Sequence, residues 1–151
     1  MGDELLDHFD IIGVDPRGVG SSTQVQCDAD IYNNQLPGFP PIEAAFRERL
    51  ERNIALPQSC LELTGGPLIK YMDSISIAKD YEAVRVALGS EAMNWFGVSY
   101  GTLLGPQYAE LFPDNIRAMV LDGVASISQS DLSLFIASAT SSEAIFRNFL
   151  A

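Results

Sequence analysis

The sequence is poor in basic residues and in metal-binding side chains. Nine Lys and Arg stand against 20 Asp and Glu, a formal net charge of −11. That imbalance argues against nucleic acid and against anionic membrane surfaces, both of which need basic patches. A single histidine and two cysteines fall short of most zinc sites, which usually take four Cys or His ligands. They imply neither metal nor cofactor. No run approaches the ~18 apolar residues of a membrane span, so no membrane partner is expected. The first ten residues, MGDELLDHFD, have neither a basic start nor an apolar core, so they do not read as a signal peptide. Residues that resist burial are scarce too. Charged residues make up 19% and hydrophobic residues 47%, which excludes the low-hydrophobicity signature of disorder. The length, 151 residues, suits one domain at about 150 residues per domain.

Strands and helices alternate along the chain. Phe9-Asp-Ile-Ile-Gly-Val14 reads as a buried strand, followed by a turn holding Pro16, Gly18 and Gly20. Residues 23 to 40 suggest loop. Pro41 to Ala55 looks helical, with apolar Ile42, Phe46, Leu50 and Ile54 every fourth residue. Asp73 or Ser74 caps a second helix running to about Leu88, with Ile77, Tyr81, Val84 and Leu88 on one face and Gly89 as the stop. Ala92 to Val98 is a strand, and Tyr100 to Phe112 a helix ended by Pro113-Asp114. Pro106 lies inside that helix and removes an N–H from its ladder, which predicts a kink or a shortened first segment. Ile116 to Asp122 is a further strand. Asp131 to Ala151 is helical by pattern, with Leu134, Ala137, Ile145 and Phe149 as its buried positions. Alternation of this kind implies an α/β fold with parallel strands.

Gly97-Val98-Ser99-Tyr100-Gly101 is a G-x-S-x-G motif. Alone it arises readily by chance, so its context decides. An apolar strand precedes Ser99 and a helical pattern follows, which is the strand–turn–helix setting of a nucleophile elbow. The turn is strained, and side chains at 97 and 101 are expected to collide with the neighbouring strand and helix. Ser99 is the candidate nucleophile. The backbone N–H of Tyr100, at the helix start, is the candidate oxyanion donor. The alternative is a glycine-rich turn with a structural serine.

Five blocks occur in order: Phe9 to Ser22, Ala78 to Gly89, Phe96-Gly-Val-Ser-Tyr-Gly-Thr-Leu-Leu-Gly105, Tyr108 to Pro113, and Met119-Val-Leu-Asp-Gly-Val124. Together they resemble the α/β-hydrolase superfamily, and within it the proline iminopeptidases and tripeptidyl aminopeptidases, especially the secreted bacterial and fungal branch. The resemblance implies a partial α/β-hydrolase fold. Phe9 to Val14, Ala92 to Val98 and Ile116 to Asp122 would be the fourth, fifth and sixth strands of a mostly parallel sheet. Residues 1–127 would then be the central part of the core, with an insertion at 23–72, and residues 128–151 the start of the lid. It implies a serine hydrolase acting at peptide N-termini through Ser99 and Tyr100, on a peptide or small-molecule substrate and without a cofactor. The alternatives are an esterase or lipase of the same fold, or a non-catalytic truncated fragment.

The family's catalytic acid and histidine follow the serine in the order Ser, acid, His. His8 precedes Ser99 and therefore cannot fill that role, and these 151 residues alone are expected to be inactive. Asp122, at the end of the sixth strand, is a minor candidate for the acid and otherwise caps the turn. Asp15 and Arg17 are expected to pair locally, and Asp80 and Arg85 to be solvated. Trp95 and Phe96 face opposite sides of their strand and are both expected in packed surroundings. The secreted branch often carries cysteines between the glycine turn and the second helix, so the resemblance implies a Cys27–Cys60 disulfide and a secreted protein. Two free thiols in a cytoplasmic protein are the alternative. The sequence does not indicate an oligomeric state.

Overall fold

The structure is a computed structural model, and it describes residues 3–126 and 128–151. The chain divides into two units, Met1–Glu91 and Ala92–Ala151.

The second unit is built on strand β1 (Met93–Val98), helix α5 (Gly101–Leu111) and strand β2 (Ile116–Asp122). The strands are parallel neighbours, with Trp95 opposite Met119 and Val98 opposite Asp122. Parallel neighbours need a crossover, and α5 supplies it. The apolar runs at 93–98 and 116–122 form strands because each finds the other's hydrogen-bonding edge. One face of this pair carries the core. Trp95, Gly97, Thr102, Leu104, Gly105 and Tyr108 are buried, and the Trp95 and Tyr108 rings stack with centroids 5.8 Å apart. The opposite face is bare: Phe96 and Val120 are each more than half exposed. Packing was expected around both Trp95 and Phe96. It holds for Trp95 alone, because strand alternation turns Phe96 away from α5. Helix α5 runs unbroken through Pro106, so the expected shortening is absent.

A 3₁₀ turn at Pro113–Asn115 ends the crossover. Helix α6 (Asp131–Leu150) forms as its pattern predicts, and the Ser130 hydroxyl accepts from the Ser133 N–H at 3.3 Å. No residue of it is buried, however, so Leu134, Ala137, Ile145 and Phe149 do not occupy a core. Capping and propensity suffice to form a helix, whereas burial requires a covering partner.

In the first unit, α1 spans Asp3–Leu6, α2 Ala29–Asn33, α3 Glu43–Thr64 and α4 Ser74–Ala87, with a 3₁₀ turn at Leu68–Tyr71. The predicted strand at Phe9–Val14 is not formed, and Phe9, Ile11 and Ile12 are exposed. A strand is completed by a paired neighbour, and among the described residues no strand lies in this unit; its β pairing is the isolated Gly18–Gln24 bridge. Part of the predicted loop at 23–40 is helical, because the Asp28 carboxylate accepts from the Asp30 and Ile31 N–H groups at 2.9 Å each and so caps α2.

Helix α3 continues nine residues past Ala55, through Pro57. Its less exposed face mixes Ala45, Leu56 and Cys60 with polar side chains. Arg52 donates to the Ile31 and Tyr32 carbonyls, Arg49 to that of Pro37, and Thr64 to that of Gln26. The expected apolar stripe of Ile42, Phe46, Leu50 and Ile54 is exposed instead. Cys27 and Cys60 are joined in a disulfide that ties α3 to the preceding segment. Helix α4 starts at Asp73, whose carboxylate accepts from the Ser76 N–H at 2.9 Å, and it stops before Gly89, which has a φ of +67°.

Candidate active site

Ser99 lies on the turn between β1 and α5 with a φ of +52°, the only positive value at a non-glycine among the described residues. Left-handed backbone costs an L-residue roughly 1–2 kcal/mol, so neighbouring groups must hold it. The Ser99 N–H donates to the Asp122 carbonyl at 3.1 Å, across the β1–β2 register. Its carbonyl accepts from the Thr102 N–H at 2.9 Å and from the Thr102 hydroxyl at 2.6 Å. Ser99 itself is exposed, whereas Thr102, Leu104 and Gly105, which follow it on α5, are buried. Tyr100 opens α5 in helical conformation (φ −60°, ψ −27°). The N-terminal N–H groups of a helix point outward along its axis and carry partial positive charge, the polarity an oxyanion requires.

The glycines of the motif are not equivalent. A Cβ at Gly97 would overlap the Gly101 carbonyl oxygen and lie 2.6 Å from Trp95 Nε1. At Gly101 an added Cβ meets nothing within 4 Å. The collision expected at both positions therefore exists only at 97. The second steric requirement falls at Gly105, where a Cβ would lie 2.7 Å from Trp95 Nε1. Trp95 lies flat against α5 and donates through Nε1 to the Gly101 carbonyl at 3.2 Å. The motif did not predict the Gly105–Trp95 contact. The available sign was a glycine in a helix interior, where it costs up to about 1 kcal/mol and usually has a packing reason.

Asp122 contributes its carbonyl to the turn, and its side chain is exposed at the strand's carboxyl edge. His8 lies in the other unit, in the turn after α1. Residues 92–151 contain no histidine.

In the first unit the expected Asp15–Arg17 pairing gives way to a longer-range pair. Arg17 makes a two-pronged ion pair with Asp80, both contacts at 2.6 Å, and donates to the Tyr71 carbonyl at 3.0 Å. The Asp80 carboxylate raises the Arg17 pKa above its usual range, against partial desolvation. Asp80 is thus engaged rather than solvated. So is Arg85, which pairs with Glu82 at 2.7 Å. Asp15 instead accepts from the Ser21 N–H at 2.8 Å and holds the glycine turn, where a Cβ at Gly20 would overlap its carboxylate. Tyr81 lines a cleft with Asp15, Arg17 and Asp80, and burial raises its phenol pKa, with help from the charges of Asp15 and Asp80. Among the described residues no group of three His, Cys, Asp or Glu is placed to hold a metal, and no helix is long and apolar enough to cross a membrane.

The family described as alpha/beta hydrolase fold matches residues 1–149. The chain is 32% identical over 152 residues to "Serine protease Hip1" of Mycobacterium tuberculosis, covering 96% of this chain and 29% of the relative. It is 35% identical over 127 residues to "Tripeptidyl aminopeptidase" of Streptomyces lividans, covering 82% and 24%. It is 34% identical over 154 residues to "Carboxylesterase B" of Mycobacterium tuberculosis, covering 98% and 29%. The chain thus spans less than a third of the length of these relatives.

Proposed function

Because this chain belongs to the α/β hydrolase fold family, we propose that Ser99 is the nucleophile of a serine hydrolase that releases residues or short peptides from peptide N-termini. The left-handed Ser99 between β1 and α5 is the observation that carries this reading, since such a turn lifts a hydroxyl above the sheet edge. Ser99 Oγ attacks the scissile carbonyl, a histidine takes its proton, and the Tyr100 N–H stabilises the oxyanion. That histidine comes from outside these 151 residues, since His8 precedes the serine, and in the family's order the acid lies between serine and histidine. A peptide substrate is favoured by the relatives named serine protease and tripeptidyl aminopeptidase. A relative named carboxylesterase supports ester hydrolysis as the second reading. The Cys27–Cys60 disulfide favours an oxidising, extracellular setting. No cofactor enters this chemistry.

The test is steady-state hydrolysis by this segment within a protein that also supplies the acid and histidine. A tripeptidyl p-nitroanilide is compared with a p-nitrophenyl ester. Anilide cleavage that falls on the order of 10⁴-fold or more in Ser99→Ala supports the peptidase. Ester cleavage alone, equally dependent on Ser99, supports the second reading. Turnover unchanged by Ser99→Ala rejects both.

A further inference from the structure

We propose that Thr102 is a positioning residue for the nucleophile: its hydroxyl holds Ser99 in the left-handed conformation and fastens the elbow to the loop that leaves β2. The proposal rests on the reading of Ser99 as nucleophile. Thr102 is 1% exposed. Burying a hydroxyl is unfavourable unless its hydrogen bonds are made, and here they are. Thr102 Oγ1 donates to the Ser99 carbonyl at 2.6 Å and accepts from the Ala125 N–H at 3.0 Å. One proton and two lone pairs serve both bonds at once.

The Thr102 N–H reaches the same Ser99 carbonyl at 2.9 Å, while the Ser99 N–H is held by the Asp122 carbonyl. The peptide groups on both sides of Ser99 are therefore clamped, which fixes the two torsions between them, φ and ψ. Threonine is needed for its hydroxyl, since valine would fill the same volume. Through Ala125 that hydroxyl also fixes the course of the chain just beyond Asp122 and Gly123, at the carboxyl edge where sheets of this class bind ligands. Without it, the Ala125 N–H loses its acceptor and the Ser99 carbonyl loses the shorter of its two bonds to Thr102, so elbow and loop are loosened together.

The test compares the 151-residue chain with its Thr102→Val and Thr102→Ser variants by NMR. Backbone chemical shifts and couplings report the Ser99 φ, amide hydrogen exchange reports the Ala125 N–H, and the shifts of 103–111 report α5. In the unsubstituted chain Ser99 shows the left-handed signature and the Ala125 amide is protected. Thr102→Val should abolish the Ser99 signature and accelerate Ala125 exchange at least tenfold while α5 stays helical. Thr102→Ser, which keeps the hydroxyl, should retain both. The proposal is overturned if Thr102→Val preserves the signature and the protection, or if Thr102→Ser loses them as Val does. It is overturned equally if the unsubstituted chain lacks the left-handed signature. These readouts are geometric, so they are separate from the hydrolysis assay: a failed nucleophile shows in Ser99→Ala kinetics, a failed clamp only here.

Discussion

Single residues settle which parts of the G-x-S-x-G signature are steric and which are not. The motif treats its two glycines alike, but Gly97 faces the Gly101 carbonyl and Gly101 faces open space. Gly105 lies outside the motif and is restricted too, by the Trp95 side chain rather than by backbone. Alanine at 105 gains about 1 kcal/mol in helix propensity, but forcing a methyl group into a packed contact costs typically 1–3 kcal/mol. The overlap should win. Gly105→Ala and Gly97→Ala are expected to destabilise the second unit, and Gly101→Ala to be close to neutral. Urea unfolding followed by the fluorescence of Trp95, the only tryptophan, checks the order. A Gly101→Ala variant as unstable as the other two would refute the assignment. The strand–turn–helix at Ser99 was legible in the sequence because an apolar run, a small-residue turn and a helical pattern met there. Thr102 and Gly105 were not legible as its supports, since their roles depend on atoms that only the folded β1–α5–β2 unit brings together.

At the level of elements, the termini marked by local chemistry were the legible ones. Asp73 before α4, Gly89 after it and Pro113 after α5 act within a few residues, and each marks an element end in the structure. Asp28 acts just as locally but was passed over, because the asparagines and prolines around it suggest loop. Elements that depend on a distant partner were misjudged. The run at Phe9–Val14 has strand composition and no strand beside it, and the apolar stripes of α3 and α6 are uncovered. Ion pairing shows the same limit, for Arg17 reaches Asp80 rather than the adjacent Asp15. Capping by Asp73 also predicts a pH dependence. The Ser76 hydroxyl and N–H hold the Asp73 carboxyl below its ordinary pKa. A depressed folded-state pKa gives stability that is present above the unfolded value and lost as pH falls through the folded one. Helix α4 should therefore weaken on acidification below about pH 4, and Asp73→Asn, which keeps a capping oxygen, should remove that part of the decline. Circular dichroism from pH 7 to pH 2 on both proteins measures it; identical acid profiles would show that Asp73 contributes nothing.

At the level of the whole molecule, each unit buries its own few side chains, Ile77 and Ala78 on α4 in the first and a cluster on β1 and α5 in the second, while large apolar residues stay exposed elsewhere. Trp95, Leu104 and Tyr108 are buried where β1 and α5 pack, whereas Phe96, Val120, Phe135, Phe146 and Phe149 are each more than half exposed. The match to the hydrolase family covers residues 1–149, yet the chain spans only 29% of the serine protease relative. A nucleophile in place without a histidine after it is the account's central claim, and covalent labelling tests it most directly. The 151-residue chain, and the same segment within a protein that supplies the acid and histidine, are treated with a fluorophosphonate, and the adduct is located by mass spectrometry. The account predicts a single adduct on Ser99 in the longer protein and none in the 151-residue chain, where nothing removes the hydroxyl proton. An adduct on another serine of the longer protein, with Ser99 unmodified, would contradict it.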